Sequence, residues 1–239
     1  MSLAPETRLS LFFASENDSA VILLRAKRRL FGLFSWDRKT DQITDGQWLK
    51  RQVISESCAL SPDGRHFLYS VYDGRMDQPA GEAYTAISKP PYFTALALFP
   101  ATYSWSVGGQ FLSNRLYQLA DDVQARDMID GQSELERVVK GAISKDCKTG
   151  LRLLNGRPAP LNKQQVEIAL GRVTVAPTKE MDRYDTLNGA LHRIASDGSL
   201  ELIRDFKGLD FKPIRAPYDT RAEGDTSTDG WHPLDGETL

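Results

Sequence analysis

Four residues, Ser61-Pro62-Asp63-Gly64, constrain this chain more than any others. They stand between Ala59-Leu60 and the apolar, aromatic-rich run Phe67-Leu68-Tyr69. Pro62 presets φ for the first central turn position, the Asp63 side chain can bond back to the local backbone, and Gly64 accepts positive φ. The stretch therefore predicts strand, tight turn, strand. It constrains architecture, a sheet built from hairpins, and says nothing about chemistry.

The same pattern recurs. The apolar segments 9–13 and 20–25 are separated by the polar turn Ser15-Glu16-Asn17-Asp18-Ser19. Leu30, Phe31, Leu33, Phe34 and Trp36 predict a strand by aromatic enrichment. The polar turn 37–41 follows it. Residues 92–99 are apolar enough for a buried strand. Residues 190–206 alternate around Ser196-Asp197-Gly198-Ser199 and predict another hairpin. Residues 75–91, rich in Pro, Gly and polar side chains, read as a long loop. Residues 120–186 carry little strand signal. Helical spacing of Leu135, Val138, Val139 and Ala142, with Ser133 as N-cap, predicts a helix over 133–143, and a second is expected over 162–170. Residues 223–239 read as a mobile tail. The expected organisation is one β-rich domain over 1–222, with a helical insertion at about 120–170, followed by that tail.

Residues 56–75, ESCALSPDGRHFLYSVYDGR, resemble the WD40-like repeat of TolB-type β-propellers. In that family a strand ends at Ser-Pro-Asp-Gly and the next carries an aliphatic or aromatic run. Residues 103–112 resemble a second copy, with Trp105-Ser106 before the turn and Gly108-Gly109 in place of Asp-Gly. Residues 190–206 are similar to the outer hairpin of a blade. Blades run about 40–45 residues and closure takes about four to eight of them, so four or five would fit. The resemblance implies a mainly β fold: propeller-like, or a meander of antiparallel hairpins, with a helical insertion near 120–170. A β-sandwich or an α+β arrangement is the alternative.

Composition narrows the function classes. Hydrophobic residues make up 41% and charged residues 26%, as in ordinary globular chains. A net charge of −2 argues against a nucleic-acid partner, and Arg25, Lys27, Arg28 and Arg29 read as a solvated hairpin turn. The two cysteines, Cys58 and Cys147, form no CxxC pair, and no metal-ligand spacing is present. Apolar runs such as 20–24 are too short to span a membrane, and residues 1–10 lack a signal-like apolar core. The expectation is a cytoplasmic chain that needs no metal and no cofactor.

Catalytic patterns are sparse. The chain has no Gly-x-Ser-x-Gly, no phosphate-binding GxxxxGK[ST] and no GxGxxG. His66, His192 and His232 are dispersed. Asp182 and Asp185, beside Glu180, are the weak candidates for an acid–base pair, since a glycosidase sets two carboxyls about 5–10 Å apart. Arg75, Tyr84 and Tyr92, in and beside the loop 75–91, are the binding candidates, because Tyr and Arg dominate interface hot spots. The expected function is a non-catalytic module that binds a protein or peptide, with no nucleic-acid or membrane partner. The alternative is a glycosidase- or esterase-like hydrolase using paired carboxylates.

Overall fold

The computed structural model describes residues 7–77, 79–101, 103, 106–120, 134–138 and 179–219, with backbone alone at 144–146, 150–152 and 179. The first sheet is an antiparallel meander of β1 (Arg8–Phe13), β2 (Ser19–Lys27), β3 (Leu30–Asp37) and β4 (Gln42–Leu49). The second orders β5 (Gln52–Val53), β7 (Phe67–Tyr72), β8 (Ala83–Ser88) and β9 (Ala95–Pro100), again antiparallel. A further strand, β6 (Ala59–Leu60), shares β7 with β5, and the 3-10 turn Ser55–Ser57 lies between them. Next come β10 (Gly109–Phe111) and β11 (Leu116–Leu119), with β12 (Glu136–Arg137) parallel to β11. A two-stranded pair, β13 (Ser144–Asp146) and β14 (Gly150–Arg152), follows. The last sheet orders β15 (Tyr184–Asp185), β16 (Ala190–Ile194) and β17 (Leu200–Asp205).

The first and second sheets are covered on both sides because their central strands are apolar on both faces. In β2 the run Ala20-Val21-Ile22-Leu23-Leu24 is buried throughout. Val21 and Leu23 turn to one core, with Leu33, Phe67, Tyr69 and Tyr84. Ala20, Ile22 and Leu24 turn to another, with Phe34, Trp36, Leu191 and Phe206. Period-2 alternation makes this unavoidable: an uninterrupted apolar strand must be covered twice. The second sheet obeys the same rule. Its far face gives Leu68, Ile87 and Phe99 to a third core with Phe111 and Tyr117. The stacking order is therefore last sheet, first sheet, second sheet, then β10–β11. Ion pairs rim the join between last and first sheets: Arg38 with Glu180 at 2.6 Å, Arg193 with Asp41 at 2.7 Å, and Arg204 with Asp45 at 2.7 Å.

Most of the expected hairpins are present, and three expectations need correction. The loop expected over 75–91 contains β8, a strand buried along its whole length. Its sequence, Ala-Tyr-Thr-Ala-Ile-Ser, looks polar, but the hydroxyl of Thr85 is satisfied inside by accepting the Gly108 N–H at 2.8 Å. The helix expected over 133–143 is not formed in its described part, 134–138, where Glu136–Arg137 pairs with β11. The pairs β13 and β14 also lie within the expected insertion, whereas the helix expected over 162–170 lies outside the described residues. The turn expected at Gly108-Gly109 is displaced. Gly109 belongs to a strand, and the turn of that hairpin falls at Ser113-Asn114. Residues 223–239 lie outside the described residues. Among the described residues, no helix is long and apolar enough to cross a membrane.

Candidate functional site

Antiparallel strands place their turns at two opposite ends, and the two ends differ in chemistry. At one end the turns are bonded to one another. Gly64 takes φ +74, a conformation that favours glycine, and an added Cβ would stand 2.8 Å from the Ser19 Cβ. The Asp63 N–H donates to Asn114 Oδ1 at 2.9 Å, and Asn17 Nδ2 donates to the Asp63 carbonyl at 2.9 Å. Asn114 Nδ2 donates to Glu16 Oε2 at 2.7 Å. Three turns thus satisfy one another's polar groups, which makes this end structural.

The other end gathers arginines. Asp73, just past β7, is 2% exposed, yet it is a carboxylate. Its backbone is held by Asp73 and Gly74 N–H groups donating to the Glu82 carbonyl at 2.8 and 3.0 Å. Arg75 donates to it twice, Nε to Oδ1 at 2.7 Å and Nη2 to Oδ2 at 2.9 Å. Arg51, on the link between β4 and β5, donates Nε to Oδ2 at 3.0 Å. Arg29, at the β2–β3 turn with φ 60, donates Nη2 to the Asp73 carbonyl oxygen. Burial alone would raise the Asp73 carboxyl, but the Arg75 hydrogen bonds and the Arg51 and Arg75 charges outweigh it, and its pKa lies below the usual carboxylate value. Arg29 and Arg75 are exposed on their outer sides. Around them, Met76 is 82% exposed and Tyr72 is exposed with its hydroxyl donating to Glu82 Oε1 at 3.0 Å.

The sequence-derived candidates separate. Arg75 is at this arginine cluster. Tyr84 is not on the surface: it is fully buried in β8, in the core between the first and second sheets. Tyr92 is half-buried at the opposite end, edge-on to Tyr218 with ring centroids 6.0 Å apart. The buried strand β8 divides what had looked like one loop into two loops at opposite ends. Asp182 lies exposed on the 3-10 turn Lys179–Arg183. Asp185 is half-buried in β15, and its Oδ1 accepts the Leu187 N–H at 2.6 Å, the work of a turn-forming carboxylate. His192 sits opposite Asp185 in the β15–β16 register, while His66 follows the Ser61–Gly64 turn. The Cys58 thiol donates to the Ile54 carbonyl at 3.3 Å, and burial pushes it up to about 12, the opposite of what a nucleophile needs.

Arg29, Arg51 and Asp73 escaped sequence reasoning. Asp73-Gly74 reads as an ordinary turn, and Arg29 reads as one member of a basic run. Nothing local links residues 29, 51 and 73, which stand on three different connections. A groove of about 300 Å³ lies between the Ser55–Ser57 turn and the β10–β11 hairpin. Glu56, Ser57, Gly108, Gln110 and Gln118 line it, with Gln110 Nε2 donating to Gln118 Oε1 at 3.1 Å. Among the described residues, no group of three His, Cys, Asp or Glu side chains stands close enough to hold a metal ion. No protein-family model, curated protein or solved structure matches the chain.

Proposed function

We propose that this chain is a non-catalytic interaction module, a β scaffold that holds a protein or peptide partner at the end carrying Arg29, Arg51 and Arg75. One observation carries the reading: a buried carboxylate fixes the exposed guanidinium of Arg75 and the half-buried one of Arg51 in place. Such preorganisation lowers the ordering cost of binding, and Arg is a favoured hot-spot residue. We further read the stacked sheets as propeller-like blades. The support is that successive antiparallel sheets stack face to face and that the last sheet covers the outer face of the first.

The test is affinity capture from the source cell with tagged wild-type chain and the variant Arg75→Glu, with far-UV circular dichroism as the folding control. A protein retained by the wild type and released by the variant supports the reading. If nothing is enriched over the variant, the reading is wrong. Turnover of a glycoside or ester that is lost in the double variant D182N/D185N would replace it with the hydrolase alternative.

A further inference from the structure

We infer that the exposed Arg29 and Arg75, held on buried Asp73, form a recognition site for the carboxylates of an acidic segment in the partner protein. The inference rests on the interaction-module reading and specifies the chemistry of the partner.

Charge is the first argument. One carboxylate serves both Arg51 and Arg75, and Arg29 binds a backbone carbonyl oxygen. Two exposed guanidiniums, Arg29 and Arg75, thus stand around a single buried carboxylate. The same end adds Arg25, Lys27 and Arg28 on β2 and its turn, and Lys50 beside Arg51. Lys27 pairs with Asp210, and the Lys50 ammonium stands 3.8 Å from the centre of the Phe211 ring. Among the described residues, the acidic groups nearby include Asp77 and Glu82, the latter taking the Tyr72 hydroxyl. A chain with a net charge of −2 thus concentrates cationic groups at one end.

Geometry is the second. A guanidinium presents a planar fork of donors that matches a carboxylate. Arg75 shows this pairing with Asp73 through Nε and Nη2, which leaves Nη1 outside the pair. Its side chain is 45% exposed, against 2% for Asp73, so the pair is fixed from beneath and open above.

The flanking side chains choose between anions. Met76 and Tyr72 set apolar surface beside the cluster. A peptide carrying acidic and apolar residues can use both features, whereas a free phosphate or a nucleic-acid backbone uses only the charge.

The experiment is fluorescence anisotropy of the full chain with a fluorescein-labelled hexapeptide of alternating glutamate and leucine. A lysine–leucine hexapeptide, inorganic phosphate and a single-stranded oligonucleotide are the comparison arms. Saturable binding of the acidic peptide, weakened by added salt and about tenfold by Arg75→Ala, supports the inference. Arg75→Lys keeps the charge and loses the fork, so it weakens binding by less than Arg75→Ala. Asp73→Asn is the sharpest arm. Charge attraction alone makes this variant bind more tightly, whereas loss of the positioning carboxylate makes it bind several-fold more weakly. Circular dichroism confirms that each variant is folded, and the Arg75→Lys result stands even where Asp73→Asn is not. Absence of acidic-peptide binding, a preference for phosphate or the oligonucleotide, or tighter binding by folded Asp73→Asn would overturn the inference. If Arg75→Glu still releases the captured partner while the acidic peptide does not bind, the interaction reading stands and this inference alone falls.

Discussion

Asn114 accepts the backbone N–H of Asp63 through its side-chain carbonyl at 2.9 Å, across 51 residues of sequence. The bond ties the Ser61–Gly64 turn of the second sheet to the hairpin of the third. Through its Nδ2 the same amide reaches Glu16 at the β1–β2 turn. One side chain therefore sets three turns in register.

Replacing Asn114 with Ala removes both bonds and leaves a half-buried Asp63 N–H seeking a partner. The expected loss is about 1–2 kcal/mol, read from the urea midpoint. An unchanged midpoint would show that water replaces the amide without cost.

Gly46 → Ala tests the contact between the first and second sheets. A Cβ at Gly46 would stand 1.9 Å from the Pro91 carbonyl oxygen and 2.5 Å from that of Leu33. Both are backbone atoms, and the Pro91 oxygen already accepts the Gln47 N–H at 2.9 Å. The strands cannot part without breaking that bond. A loss of about 3 kcal/mol or more is expected in chemical denaturation, since overpacking against backbone admits little relaxation.

Gln47, 2% exposed, is the polar partner of the same junction. Its Oε1 accepts the Phe93 N–H at 2.7 Å, the Thr94 N–H at 2.8 Å and the Thr94 hydroxyl at 3.0 Å. Gln47→Leu preserves bulk but strands these donors in the interior. The expected cost is about 2–5 kcal/mol, because two buried N–H groups lose their acceptor. Thermal melting of the variant measures it, and a melting point equal to wild type counts against the network.

Stability should fall with acid in two windows. Burial holds the His66 imidazole below its usual value of 6.5, and the nearby Lys89 and Arg65 charges act in the same direction against Asp63. A depressed histidine favours the fold above its unfolded pKa, and that contribution is lost as pH falls from about 7 through the folded value. Its Nδ1 is buried with no hydrogen-bond partner among the described residues, so the charged form is poorly accommodated. Comparing urea midpoints at about pH 7 and pH 5 should show a drop in wild type that His66→Gln lacks. A parallel drop in both chains would place the titration elsewhere. The second window belongs to Asp73, whose contribution is present above the unfolded value of 3.8 and is lost as pH falls through its lower folded pKa. Asp73→Asn removes that part of the acid limb.

Much of the architecture was legible because its signals are local. Pro62, Asp63 and Gly64 each bias the same few dihedrals, so the turn between β6 and β7 needs no tertiary help. The Asp197-Gly198 turn between β16 and β17 is of the same kind, with Ser199 N–H and Oγ both donating to Asp197 Oδ1. The apolar run in β2 likewise announced a strand, and its burial on both faces came from the stacking. The strand β8 was not legible. Its Ala, Thr and Ser carry little apolar signal, and only the first and third cores, which receive Tyr84 and Ile87, make it a central strand. Glu136–Arg137 shows the converse: helical spacing lost to pairing with β11.

The candidate site divides along the same line. Arg75 was legible as an exposed cation in a turn-rich segment, a property of its own residue and neighbours. That Asp73 is buried, and that Arg29 and Arg51 meet it from other connections, depends on how the first and second sheets stack. Turn chemistry acts over a few residues, so the sequence by itself determined where the chain folds back. Which turns stand together is set by the burial of both strand faces against other sheets, and that only the tertiary structure decided.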